Sequence, residues 1–159
     1  MGDVPYDTLQ ALLKRFGLSL VIEAPGQKIT GSFWGDSEAG IVADKVFVRR
    51  DTPLHSLLHE ASHTICMDAP RRARLERDAG GDDMEEAAVC YLQILLAGHL
   101  PAVGSARLMR DMDAWGYSFR LGSTAAWFAN DAEDAAAWLR SHGLIDNAGL
   151  PTFTRRDGV

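Results

Sequence analysis

With 159 residues, 47% of them apolar and 24% charged, the chain has the size and composition of one globular domain with its own core. The net charge is -6 and the one basic cluster is followed at once by acidic residues, which argues against a nucleic-acid-binding protein. No stretch approaches the roughly 18 apolar residues of a membrane span, and the first ten residues do not have the pattern of a signal peptide. We therefore expect a cytoplasmic protein with no membrane partner, and the two cysteines, Cys66 and Cys90, suit that reducing compartment because both lie in apolar helical patterns.

The N-terminal third is predicted to form one helix and a small sheet. Apolar residues recur at helical spacing over residues 6–16, and the segment LSLVIEAPG that follows alternates as a short strand does. The runs GSFWG and GIVADKVFVRR are also strand-like. The second of them is either a hairpin or one bent strand, so the sheet is expected to be antiparallel or mixed.

The rest of the chain is predicted to be mainly helical. Thr52 as a cap and Pro53 at the first helical position start a helix that runs through LHSLLHEASHTICM. After a connection over residues 69–81, Asp82 or Asp83 caps the next helix, MEEAAVCYLQILLAG. Further helices are expected near residues 102–115, 123–129 and 131–142. We predict one α+β domain over residues 1–146 and a loosely held C-terminal tail over residues 147–159.

The motif HEASH within the second helix predicts a metal site. Residues four apart lie on one face of a helix, so His59 and His63 can direct both imidazoles at one ion. Glu60 is rotated from His59 by about 100°, which places it beside the ion, where it can take a proton from a water molecule on the metal. The surrounding apolar positions indicate a buried helix, in which two imidazoles without partners would be costly.

A catalytic zinc needs a third protein ligand and one open position. The helix after the connection offers Glu85 and Glu86. We favour Glu85, because the small Ala88 on its face lets the two helices approach closely. Glu86 instead aligns with Cys90 and Gln93, and one of the two glutamates is expected to be a solvated carboxylate of the first turn.

The segments LLHEASH and EEAAVCY resemble the gluzincin-type zincin metallopeptidases, in which a second helix supplies a glutamate as third ligand. A strand, a helix carrying HExxH and then the glutamate helix are most similar to the ImmA/IrrE-like metallopeptidases, over about residues 30–98. The resemblance implies a zincin-like fold, with a small sheet packed on the active-site helix and a helical C-terminal half.

By the same resemblance the cofactor is Zn²⁺, with His59, His63 and Glu85 as ligands and Glu60 as general base. The activity it implies is hydrolysis of peptide bonds, with a protein, and among proteins a regulatory one, favoured as substrate and partner. The connection at residues 69–81 could form part of a lid. The chain departs from the family at Val89, where the family often has an Asn or Asp that supports the site.

The remaining histidines, one tyrosine and the tryptophans are further candidates for places in or near the same site. His55, one turn before His59, is expected to be a pocket wall or a supporting group. For Tyr117 ordinary packing is favoured, and donation to the developing oxyanion is the alternative. His99 and His142 near helix ends are expected to be solvated. The tryptophans are expected to line the core or a cleft: Trp34, Trp115, Trp127 and Trp138.

Two other classes of function compete with the metallopeptidase. One is an inactive or structural-zinc interaction module, which a fourth tight ligand such as Cys66 would favour by closing the site. The other is a metal-free helical binding protein, for which chelators would leave stability unchanged.

Overall fold

A computed structural model describes residues 4–32, 38–74 and 81–158. The elements, in chain order, are α1 (Tyr6–Lys14), β1 (Ser19–Ile22), β2 (Gly40–Val42), β3 (Lys45–Val48), α2 (Leu54–Cys66), α3 (Ala69–Ala73), α4 (Asp83–Ala97), α5 (Gly104–Trp115), α6 (Thr124–Asn130) and α7 (Glu133–Ser141). A short 3₁₀ turn, Arg156–Gly158, follows them. The predicted α+β class is confirmed.

The three strands form one mixed sheet in the order β1-β3-β2. β1 runs parallel to β3, with Leu20 opposite Val46, and β2 runs antiparallel to β3, with Ile41 opposite the same valine. The second strand-like run is therefore a hairpin, and Ala43 in its turn has a φ of 54°. The sheet packs on α2 through β2 and β3.

The helix α2 lies at the centre of the fold, with the sheet on one side and α4 and α5 on others. Its apolar residues are fully buried, including Leu57, Leu58 and Ile65. The helix begins at Leu54, because the carbonyl of Pro53 accepts the first intrahelical hydrogen bonds, whereas we expected Pro53 to be the first helical residue. The predicted cap, Thr52, uses its hydroxyl to accept a hydrogen bond from the backbone N–H of Arg49.

The helix α4 packs against α2, α5 and α7, so its ends are held from several sides. Asp82 caps it as predicted, accepting a hydrogen bond of 2.8 Å from the N–H of Glu85. Within the described parts of the chain, no helix has the length and apolarity needed to cross a membrane.

The C-terminal tail, which the sequence predicts to be loosely held, contacts the domain at two places. Phe153 packs on Phe16 at 5.3 Å between ring centroids, and the guanidinium of Arg15 lies 3.3 Å from the centre of its ring. Arg156 forms an ion pair with Glu85 on α4. An aromatic and a charged anchor thus attach the tail to the domain, although its sequence lacks the periodicity that predicts an element.

Candidate metal centre

The two motif histidines of α2 face the same point. Their Nε2 atoms lie 3.1 Å apart, and their rings are nearly perpendicular, with centroids 4.7 Å apart. His63 is buried and His59 is half-buried. One helical turn between the two residues produces this convergence, as the sequence spacing predicts.

The third member of the group comes from the first turn of α4. Glu86 places Oε1 3.1 Å from His59 Nε2 and Oε2 3.0 Å from His63 Nε2. These three side chains, called the metal cluster below, form a group of ligand atoms close enough together to hold one ion. The Glu86 side chain is 49% exposed, so the cluster opens towards solvent on this side.

The donor set and spacing of the metal cluster fit zinc. Zinc is bound by imidazole nitrogens and carboxylate oxygens at about 2.0–2.2 Å, so two tetrahedral ligand atoms are about 3.3 Å apart. The observed separations of 3.0 to 3.1 Å are within a few tenths of an ångström of this value. Three protein donors with a solvent-facing side leave room for a further ligand, such as water, on an ion held there.

The structure places Glu86, and not the predicted Glu85, beside the histidines. The two residues are adjacent on a helix and therefore point about 100° apart. Glu85 is 3% exposed and its carboxylate accepts two hydrogen bonds from Arg71, at 2.9 and 2.6 Å. This pairing turns it away from the metal cluster, so Glu86 replaces it as the third ligand candidate.

The charges of the metal cluster depend on one another. Burial alone would lower the pKa of His59, but hydrogen bonds to Cys90 and Glu86 outweigh it and raise that pKa well above its ordinary value. Burial opposes ionisation of Glu86, yet its hydrogen bonds to His59 and His63 hold the pKa of this carboxyl far below the usual range. The charged forms of His59 and Glu86 therefore stabilise each other.

Glu60, the predicted general base, lies on α2 between the two histidines. Burial raises the pKa of its carboxyl, an effect that His59 and His63 oppose and that the charge of Glu86 reinforces. Its side chain makes no hydrogen bond within the described ranges, and the residue is half-buried. A carboxyl on the residue next to His59, with a raised pKa, is suited to accept a proton.

Gln93 on α4 fixes the orientation of His59, a role that the sequence analysis did not assign. Its amide Nε2 donates to the carbonyl of His55 at 3.2 Å, so its Oε1 must face His59, where it accepts from Nδ1 at 2.6 Å. With Nδ1 as donor, the lone pair of His59 lies on Nε2 and points into the metal cluster. The spacing of Glu86 and Gln93, two turns apart on one face of α4, was the signal that could have identified it.

An aromatic wall borders the cluster on the side of α5. The hydroxyl of Tyr117 lies 3.3 Å from His55 Nδ1, and its ring is 5.9 Å from that of His59. The ring of Trp115 lies 4.9 Å from His55. Burial lowers the pKa of His55 to about 4 and raises that of Tyr117, so the first is neutral and the second protonated at neutral pH. His55 and Tyr117 thus contact each other beside His59, and their roles at the site stay predictions.

The remaining candidates lie elsewhere. His99 packs on Phe153, and His142 hydrogen-bonds to the carbonyl of Trp138. Cys66 is fully buried outside the metal cluster, whereas the thiol of Cys90 lies 4.0 Å from Glu86 Oε1. Trp34 and part of the proposed lid, residues 75–80, lie outside the described residues.

Comparison of the chain with protein-family models, with curated proteins and with solved structures finds no match.

Proposed function

We propose that this protein is a zinc-dependent metallopeptidase of the zincin type that hydrolyses peptide bonds of a protein substrate. The observation that carries the proposal is the convergence of His59, His63 and Glu86 from two packed helices. Glu60, next in the chain to His59, supplies the carboxylate that acts as general base in such a site. A regulatory protein as substrate and a cytoplasmic location stay predictions from the sequence.

Each residue of the site has its own role in the proposed hydrolysis. His59 Nε2, His63 Nε2 and the Glu86 carboxylate would hold the ion. Zinc in such a site supplies a Lewis acid and lowers the pKa of a water molecule towards neutrality. Glu60 accepts the proton of the attacking water and delivers it to the leaving amine.

Tyr117 is assigned to the developing oxyanion. Its phenol is protonated, lies at the wall formed with His55 and contacts the ring of His59 edge-on. A donor held in a buried wall stabilises charge that develops in front of it, because it needs little reorganisation during the reaction.

The test combines metal content with peptidase activity. We expect one zinc per chain by elemental analysis in the wild type and in Glu60→Gln, and loss of zinc in His63→Ala. Cleavage of an unstructured protein such as casein should require zinc and fall by at least about a hundredfold in Glu60→Gln, because the general base is removed.

Matched controls are the exposed Glu133→Gln and the distant His142→Ala, which should keep both metal and activity. A wild type that binds no zinc after incubation with it contradicts the proposal. Zinc binding without activity on any protein substrate would support the metal site but contradict the proposed peptidase activity.

One observation favours a structural metal as the second candidate function. The Cys90 thiol lies 4.0 Å from Glu86 Oε1, and a thiolate ligand from this position would close the site. The two candidates differ in the absorption of the cobalt-substituted protein. A strong near-ultraviolet thiolate-to-cobalt band that disappears in Cys90→Ser supports the structural metal, and its absence supports the open site.

A further inference from the structure

A buried ion network joins the helices that carry the metal cluster. Its centre is Glu85, which receives two hydrogen bonds from Arg71 and a third, of 3.3 Å, from Nη1 of Arg156. Arg71 belongs to α3 and Arg156 to the C-terminal segment, defined here as residues 151–158. The N-terminal turn of α4 is therefore held by charges from two other parts of the chain.

The same C-terminal segment is attached to the end of α2. Arg156 Nη1 also donates to the carbonyl of Cys66, at 3.4 Å, and the carbonyl of Arg156 accepts a hydrogen bond of 2.9 Å from Arg72. Arg72 in turn donates to the carbonyls of Thr64 and Met67, at 2.9 and 2.8 Å. A cation at the C-terminus of a helix satisfies carbonyls that have no intrahelical partner.

Arg156 thus contacts the end of α2 and the beginning of α4 with one guanidinium. The two histidines of the cluster are on α2, and Glu86 is the residue after Glu85 on α4. Holding Glu85 fixes both the rotation and the axial position of the first turn of α4. Since metal–ligand distances tolerate only about 0.2 Å of variation, a small displacement of this turn takes Glu86 out of reach of the ion.

We propose that Arg156 is a positioning residue for the metal centre, acting through Glu85, and that docking of the C-terminal segment and metal binding are thermodynamically linked. The proposal rests on the metal site of the proposed function. It adds that docking of residues 151–158 raises the metal affinity of that site, because linkage requires each event to favour the other.

The first experiment measures zinc affinity by competition with a chelator of known affinity. Arg156→Ala should weaken zinc binding by about tenfold, the lower end of what loss of a supporting residue does to a metal site. Arg156→Lys, which keeps the positive charge on a shorter side chain, should lose less affinity than Arg156→Ala. Combining Arg156→Ala with Glu85→Gln should weaken zinc binding by clearly less than the product of the two single effects. The reason is that both substitutions remove the same interaction, between Arg156 and Glu85.

The matched control is Arg155→Ala. This neighbouring arginine lies beside Gly17 and makes no ion pair with Glu85. Both variants remove one positive charge, which by Coulomb's law should slightly raise affinity for a cation. A fall in affinity in Arg156→Ala alone therefore cannot result from the change in charge. The visible spectrum of the cobalt-loaded protein should also change in Arg156→Ala and stay unchanged in the control.

A second experiment needs no variant. Linkage predicts that zinc slows amide hydrogen exchange in residues 151–158 of the wild type, and that a chelator reverses the effect. Exchange in this segment that is unchanged by saturating zinc, or equal zinc affinity in Arg156→Ala and Arg155→Ala, overturns the inference while leaving the peptidase proposal intact. A wild type without zinc binding overturns both, and linkage without peptidase activity overturns only the proposed function.

Discussion

At the scale of single residues, Gln93 determines which nitrogen of His59 is available to an ion. Its amide is fixed at both ends, by the carbonyl of His55 and by His59 Nδ1. The equivalent atom of the other histidine, His63 Nδ1, is buried and has no hydrogen-bond partner within the described ranges. Of the two histidines, His59 is therefore the one whose second ring nitrogen is held from outside the ligand set, by one glutamine.

Replacing this residue by leucine should weaken the metal site without unfolding the protein. Gln93→Leu is close in size but cannot accept the Nδ1 proton, so His59 is free to adopt the wrong tautomer or orientation. We expect zinc affinity to fall by about 10 to 100-fold, measured by chelator competition. The exposed Gln27→Leu serves as control and should bind zinc as the wild type does. Equal affinity in both variants would show that Gln93 does not support the site.

Gly81 is required where the chain approaches Glu85. Its φ is 101°, and a Cβ at this position would lie 2.1 Å from Glu85 Oε2. Gly81→Ala should therefore combine backbone strain with displacement of the carboxylate from Arg71. Gly122→Ala is the control, because its φ of 92° imposes similar strain with nothing within 4 Å of the added atom.

In denaturant titrations we expect Gly122→Ala to lower the free energy of unfolding by about 1–2 kcal/mol. Gly81→Ala should lower it by roughly 2 kcal/mol more, since it disturbs a buried ion pair. The same loss in both variants would mean that Glu85 adjusts to the added methyl group at no cost.

At the scale of elements, the first turn of α4 contributes both to the stability of the fold and to the metal cluster. Asp82 caps this turn, and its backbone carbonyl accepts from the N–H of Glu86 at 3.0 Å. Ser123 caps α6 in the same way, by accepting from Ala126 N at 3.1 Å, but α6 carries no member of the metal cluster. The two caps are therefore a matched pair.

Asp82→Ala and Ser123→Ala should each lower the free energy of unfolding by about 1 kcal/mol. Only Asp82→Ala should also weaken zinc binding, by up to about fivefold, which is the factor that 1 kcal/mol gives in a binding constant. Chemical denaturation and chelator competition on the same samples separate the two effects. Weaker zinc binding in Ser123→Ala as well would indicate a general loss of order and not a local one.

Elements with a strong local pattern could be predicted from the sequence. The helical spacing of apolar residues identified α2 and α4, and the i, i+4 rule placed His59 and His63 on one face. The choice between Glu85 and Glu86 could not be made this way, because it depends on Arg71 and Arg156, which lie 14 and 71 residues away. The parallel pairing of β1 with β3 and the anchoring of the tail are likewise long-range contacts, which no local pattern specifies.

At the scale of the whole molecule, the metal cluster joins two helices at the centre of the fold. The sheet, α4 and α5 all pack on α2, and α4 extends these contacts to α7. An ion that bridges α2 and α4 would bind the folded state and not the unfolded chain. Its binding free energy would therefore add to the stability of the folded state. Global unfolding should therefore depend on metal concentration.

Zinc at about 100 times its dissociation constant should stabilise the fold by about 2.7 kcal/mol. For a chain of this length that corresponds to a rise in Tm of roughly 5–10 °C, measured by calorimetry with zinc and then with excess chelator. His63→Ala should abolish the shift, because it removes one of three ligands, whereas His142→Ala should keep it. A shift of the same size in His63→Ala would mean that zinc stabilises the protein from another site, and no shift in the wild type would favour the metal-free binding protein.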